Sequence, residues 1–355
     1  MLAGEGKGFT LLELLIAMAV GLVIMAVAVS LFRQGIEGMD TVTQRVEMQQ
    51  NARTGINWMA QDISMAGTGV PQGGIQLPSG AGSQDSRFGC DQATCYILNN
   101  IYADDRLYPV TPGDGLGPTI NGITTDTITL MYDDVRMDLA QLPLVDATPS
   151  GNQIRINPAT NPPITDPAVG IVIGDILSIC NTNGCAAGVV TNIPGNEFID
   201  FANNDPLNFN QPSAAFGNIA SILDPPNGPA IPETRARRIL VITYFINVPP
   251  GPDGVVGTAD DWPPRLMRQV NAHPPVPVAE GVENLQVTYD IFDENLGAAT
   301  TGLPNANGLP NQIRKVTINL GVRSPQRGVF NRSFERLALS TSVTPRNMSF
   351  RDRYE

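Results

Sequence analysis

The chain begins with an apolar block and then changes period. Residues 14–32 carry no charge, and at 1.5 Å per residue such a run makes a helix of roughly 28 Å, close to the thickness of a bilayer core. No other stretch is as long without charge or proline, so the pattern predicts one membrane-spanning helix with the rest of the chain on one side. From residue 34 to about 66 the apolar positions spread to helical spacing, with Met39, Val42, Val46, Ile56, Met59 and Ile63 on one stripe. Asp40, Gln44, Glu47, Asn51 and Asp62 fall largely elsewhere, and Gln49 and Arg53 interrupt the stripe. The half around Trp58 is expected to pack on the chain's own globular part. Gly67, Gly69 and Pro71 form a stop signal, giving one continuous helix of about 58 residues, roughly 85 Å long.

Beyond residue 69 the helical period is lost, and the chain becomes rich in Gly, Pro, Asn and Thr. Enrichment in β-branched and aromatic residues between turn residues predicts strands at 127–132, 171–179, 188–193, 239–248, 266–270, 285–292 and 315–322. The intervals 70–89, 146–167 and 201–234 are too long for tight hairpins and are expected to be loops. No internal repeat is present. The predicted class is α+β, a long N-terminal helix carrying a largely antiparallel β head over residues 69–355, and 355 residues allow one or two domains.

The order of the first segments carries functional information. In a secretory signal the cleavage point follows the apolar run, whereas here Gly8-Phe9 precedes it. Cutting after Gly8 would leave the apolar segment as the permanent N-terminus. The string GFTLLEL at residues 8–14 resembles the prepilin leader of type IV pilins and type II secretion pseudopilins. That resemblance implies a leader of residues 1–8, a peptidase that cuts after Gly8 and N-methylation of Phe9. It also implies a transmembrane and filament-core helix over 9–33, and an amphipathic continuation over 34–68 whose N-terminal half faces neighbouring subunits. A carboxylate at the head of a lipid-embedded helix costs a few kcal/mol even on lenient scales. Glu13 is fifth counting from Phe9, and in pilins the acidic residue at that place pairs with the N-terminal amine of the adjacent subunit.

Other chemistry is sparse. The single histidine, His273, stands before Pro274 and Pro275 in what reads as a linker, and Gly113–Gly117 lacks the spacing of a dinucleotide fingerprint, so no enzyme is predicted. Net charge is −12, yet residues 314–355 hold nine Lys or Arg against three acids. The acidic body disfavours nucleic-acid binding, and the C-terminal arginines, among them Arg323, Arg327, Arg332, Arg336, Arg346, Arg351 and Arg353, are expected to pair with that body or to be solvated. Docking of another subunit and DNA capture are the lesser readings for them.

The four cysteines form two C-x4-C spacings, Cys90 with Cys95 and Cys180 with Cys185. The oxidising compartment implied by the leader favours two local disulfides, with cross-pairing between the loops and a zinc site as alternatives. The string GPDGVVGTADD at 251–261 resembles the acidic, glycine-punctuated loop in which pseudopilins bind calcium, so Asp253, Asp260 and Asp261 are candidate Ca2+ ligands. The competing reading is a solvated turn bent at Asp253-Gly254 with Trp262 packed beneath it. No cofactor is otherwise required.

The resemblance extends into the second half. VAEGVENLQVTYDI at 278–291, Leu309-Pro310, the strand at 313–322 and QQNARTGINWMAQDISMAG at 49–67 are similar to PilW-type minor pilins and to J-type minor pseudopilins, and chain length favours the former. Residues 70–235 match neither. The implied role is a structural subunit in type IV pilus assembly, in a priming or tip complex. Its implied partners are other major and minor pilins, the prepilin peptidase and the inner-membrane assembly machinery. Its implied location is the inner membrane as a precursor with a periplasmic head, then the pilus at the cell surface. The alternatives are a type II secretion pseudopilin and a tip adhesin or DNA-uptake module.

Overall fold

A computed structural model describes residues 10–78, 106–134, 144–148, 150–156, 164–167, 169–203, 205–211, 217–222, 234–258, 260–293, 297–306, 310–327 and 333–348. Helix α1 (Leu11–Met65) is unbroken. Thr10 starts it with a capping box, in which the Thr10 hydroxyl accepts the Glu13 N–H at 3.3 Å and the Glu13 carboxylate accepts the Thr10 N–H at 2.9 Å. At the other end Gly67 takes φ +84° and donates its N–H to the Met131 carbonyl. That left-handed conformation suits glycine and ends the helix against the sheet.

The strands, in chain order, begin with β1 (Ile75–Gln76), β2 (Arg106–Leu107), β3 (Val110–Gly113), β4 (Thr119–Ile120), β5 (Ile123–Thr124) and β6 (Thr127–Asp133). There follow β7 (Leu144–Ala147), β8 (Gln153–Ile156), β9 (Ile176–Asn181), β10 (Gly184–Val189), β11 (Phe198–Asp200) and β12 (Arg235–Asn247). The last are β13 (Arg265–Val270), β14 (Val276–Glu280), β15 (Val282–Asp293), β16 (Ala298–Leu303), β17 (Ile313–Arg323) and β18 (Arg336–Val343).

Two sheets hold the helix. One runs β14-β13-β12-β9-β10-β1-β2, with β6 and β3 added on the other side of β12; the second runs β16-β15-β17-β18. They join where β14 passes into β15 through Gly281. The seated face of α1 is Gln44, Met48, Ala52, Gly55, Met59, Asp62 and Ile63. Gly55 lets the helix approach closely, since a methyl there would lie 3.0 Å from Leu266 Cδ2 and 3.2 Å from Ala279 Cβ. Met59 and Ile63 share one core with Leu130, Tyr244, Leu285, Val287, Tyr289 and Leu320. Of the apolar stripe read from sequence, Met59 and Ile63 are buried, while Met39, Val42 and Val46 remain exposed.

Strand β12 is long enough to serve two bodies. Its later residues pair with β13 and its first five with β9, while β6 occupies the opposite edge. As α1 advances from Gly55 to Asp62, its contacts on this sheet pass from Leu266 to Arg268, so β12 climbs from Asn247 towards Arg235. Arg235 lies nine positions above Tyr244, about 30 Å along the strand, well past the end of α1. Around that upper part a separate core forms, with Ile154, Ile156 and Ile199 of the β11-β8-β7 sheet packed on Leu177, Ile179 and Ala186.

Several sequence expectations need correction. The strand expected at 171–179 starts only at Ile176, because the Asp175 carboxylate accepts the Val172 N–H and closes a turn before it. The strand expected at 188–193 is β10, which starts four residues earlier and pairs back on β9. The interval 146–167, expected to be a loop, contains β8 and the end of β7.

Candidate functional site

Each large hydrophobic side chain from Leu11 to Phe32 is more than half exposed, and α1 is a helix long and apolar enough to cross a membrane. This half of the helix has no partner among the described residues of its own head. Gly8 and Phe9 lie outside the described residues. Glu13 is in the first turn, where its carboxylate also accepts the Thr10 hydroxyl at 3.0 Å. The capping box satisfies the carboxylate locally and places negative charge at the positive end of the helix dipole.

The other half of α1 is locked to the head by a polar cluster inside the core. Asp62, 3% exposed, accepts hydrogen bonds from Tyr132 at 2.8 Å, Tyr244 at 2.5 Å and Arg268 Nε at 2.8 Å. The Arg268 guanidinium lies over the Trp58 ring at 5.4 Å. Burial, then the Asp62 charge, pushes both tyrosine hydroxyls far above their usual range. Sequence reading placed Asp62 on the polar side of the helix and missed this cluster, because its three partners come from strands 70 to 206 residues away. A carboxylate one position before Ile63 on the seated face was the available signal.

Cys180 and Cys185 are directly opposed on the β9–β10 hairpin and joined by a disulfide. The bond leaves this pair available neither for zinc nor for a bridge to the other loop. Cys90 and Cys95 lie outside the described residues. The hairpin sits beside Arg235 at the upper end of β12. A cleft of about 290 Å3 opens there, lined by Ser178, Cys180, Arg235 and Arg237 among others.

The acidic loop bonds to itself. Asp253 accepts the Val255 N–H at 2.8 Å, Asp260 the Thr258 hydroxyl at 2.6 Å and Asp261 the Gly257 N–H at 2.7 Å. The Thr258 hydroxyl holds the Asp260 carboxyl below its usual range. These bonds make the loop a self-capped turn, and among the described residues no group of three His, Cys, Asp or Glu is placed to hold a metal ion. Trp262 does not pack beneath it and is 55% exposed.

His273 is not in a loose linker. It ends the turn between β13 and β14 and bonds Asp175 at 3.0 Å, and Asp175 also accepts from Arg238 at 3.2 Å. Arg238 bonds Asp134 in turn. Of the C-terminal arginines, Arg336 pairs with Glu283 on β15, and Arg323 and Arg327 lie over Phe334 at 4.3 and 5.1 Å. Arg332, Arg351 and Arg353 lie outside the described residues.

No curated protein matches the chain, and no solved structure does. Residues 6–29 match the family model of the prokaryotic N-terminal methylation motif. That motif, at the head of one long helix seated on a largely antiparallel β head, supports a generic assignment of the chain to the type IV pilin-like proteins.

Proposed function

We propose that this chain is a minor pilin-like structural subunit of the PilW type, acting in the priming or tip complex of a type IV pilus. One observation carries the reading: a single helix is seated by its C-terminal half in the head, while its apolar N-terminal half stands bare and carries the methylation motif. In this reading the bare half anchors the precursor in the inner membrane with the head in the periplasm. The prepilin peptidase cuts after Gly8 and methylates Phe9, and the assembly machinery then moves the helix among those of other major and minor pilins. There Glu13 exchanges its capping bond to Thr10 for the amine of Phe9 on the adjacent subunit. A buried carboxylate favours assembly only when its partner is present. The work of the chain is packing and not catalysis.

The upper body around β8, β9 and β10 supports a place at the tip, because it projects past the end of α1 and would obstruct a subunit stacked above. The same cleft beside Cys180 and Arg235 favours, as a second reading, a tip module that binds a ligand.

Glu13→Val tests the first reading. The variant should be inserted into the membrane at wild-type level and should fail to restore piliation to a strain lacking the protein. Wild-type piliation with the variant present in sheared filaments would sink the pairing. Mass spectrometry should find N-methyl-Phe9 at the mature N-terminus, and a bulky residue at position 8 should block that processing.

A further inference from the structure

The end of the β17–β18 ladder gathers like charge. Arg323, the last residue of β17, stands directly opposite Arg336, the first of β18, and like charges so placed repel. The nearby acid, Glu283, is already engaged through both oxygens, one accepting from Arg336 Nε and the other from Asn121 Nδ2 at 3.1 Å. Arg323 and Arg327 lie over the same Phe334 ring, at 4.3 and 5.1 Å, and among the described residues neither has an ion pair. Residues 328–332, which follow Arg327, contain no acid. Arg323 Nε is buried without a hydrogen-bond partner. Burial, together with Arg336 and Arg327 and against the pull of Glu283, holds the Arg323 guanidinium below its usual range.

The backbone holds this cluster in place. The Arg323 N–H bonds the Gly281 carbonyl at 2.7 Å, and a methyl on Gly281 would lie 2.6 Å from the Arg323 carbonyl oxygen. Ser324, fully buried, ties the two sides of the connection together. Its N–H donates to the Glu335 carbonyl, and its hydroxyl accepts the Glu335 N–H at 3.1 Å and donates to the Gln326 carbonyl at 2.6 Å. Arg323 is half-buried and Arg327 is exposed, so the pair is open to a solute from outside.

We propose that Arg323 and Arg327, stacked on Phe334, form a site for the phosphate group of a soluble molecule. Two guanidinium groups lack a counter-charge here, and a phosphate monoester carries about −1.5 to −2 with three strong acceptor oxygens. The planar fork of one arginine engages two such oxygens at once, leaving charge and an oxygen for the other, whereas a single carboxylate balances only one of the two. The height of the site selects a soluble phosphate over a lipid one. Glu335, next to Phe334, is 3.6 Å from Arg45, which lies thirteen residues beyond Phe32, the end of the uncharged run, or about 20 Å along α1. Headgroups extend only about 5–7 Å past the hydrocarbon. The site does not depend on which assembly the chain enters.

The test uses the full chain in phosphatidylcholine vesicles, with inorganic phosphate as the probe against chloride at equal ionic strength. Phosphate should slow the modification of Arg323 and Arg327 by phenylglyoxal several-fold, read by peptide mapping, and leave the rate at exposed Arg53 unchanged. It should also raise the melting temperature of the wild-type chain more than that of Arg323→Gln/Arg327→Gln, since a ligand that binds only the folded state stabilises it. Arg327→Gln alone, an exposed change that leaves the bonds of Ser324 intact, should already weaken both responses. Equal protection at Arg53, or an equal rise in wild type and double variant, would overturn the site. Protection by vesicles containing phosphatidic acid but not by inorganic phosphate would assign the arginines to a lipid, and protection by duplex DNA alone would make them a nucleic-acid surface; either result overturns the soluble ligand.

Discussion

Asp62 on α1 and Arg268 on β13 form an ion pair at 2.8 Å, with side chains 4% and 16% exposed, and this pair keys the helix to the sheet. Two tyrosine hydroxyls donate to the same carboxylate, so it is fully partnered despite its burial. Breaking such a pair from one side leaves the other charge buried and alone, which costs about 3–5 kcal/mol. Asp62→Ala should therefore lower the denaturant midpoint of the full chain far more than Arg45→Ala, whose exposed bridge to Glu335 at 3.6 Å contributes about 0–1 kcal/mol. Equal effects in urea titrations of the two variants would refute the key.

Acid should weaken the head through Asp175. Burial raises its pKa, but His273, the Val172 N–H and Arg238 together outweigh burial, and the carboxyl ends below its usual 3.8. A depressed carboxyl stabilises the fold above its unfolded pKa, and that contribution is lost as pH falls through the folded value. Asp126 and Asp205, raised by burial despite the N–H groups they accept, act in the opposite sense: each weighs against the fold at neutral pH, and that cost is relieved on acidification. Asp175→Asn should flatten the fall in stability below about pH 4 while lowering stability at pH 7. Denaturation curves across this range that keep the wild-type slope would contradict the assignment.

The Cys180–Cys185 bond closes a short hairpin, so it should stabilise by less than the roughly 3 kcal/mol of a fifteen-residue loop. Peptide mapping without reduction should recover the two cysteines linked to each other. Cys180→Ser/Cys185→Ser should fold, with loss of stability confined to the upper body. Protection from hydrogen exchange should fall around β9 and β10 and hold around Asp62.

The loop at 251–261 is expected to melt alike in excess calcium and in chelator, because its carboxylates already accept bonds from Val255, Gly257 and Thr258. Asp260→Ala/Asp261→Ala should loosen the loop in both conditions equally. A calcium-dependent rise in melting temperature that these substitutions abolish would establish the metal reading.

The sequence by itself determined the helix and its direction of use. An uncharged run, a Gly-Phe junction ahead of it and a Gly/Pro stop are local signals, and each acts within a few residues of where it is written. The strands at 127–132, 239–248, 285–292 and 315–322 were legible for the same reason, since each is enriched in β-branched or aromatic residues between turn residues, and the shorter strand at 266–270 was marked by the turn residues around it. Tertiary structure decided the rest. Met39, Val42 and Val46 have the spacing of a buried stripe, yet the helix turns Gln44 and Met48 to the head instead, and Ala52 and Gly55 continue that contact. β16 and β18, made of small polar and apolar residues, gave no strong local signal and are strands because β15 and β17 offer them edges. Asp62 looked like a solvent-facing acid, and its role exists only where Tyr132, Tyr244 and Arg268 converge from distant strands. Period and punctuation are properties of neighbours along the chain, whereas burial, pairing and charge compensation depend on which distant segments meet.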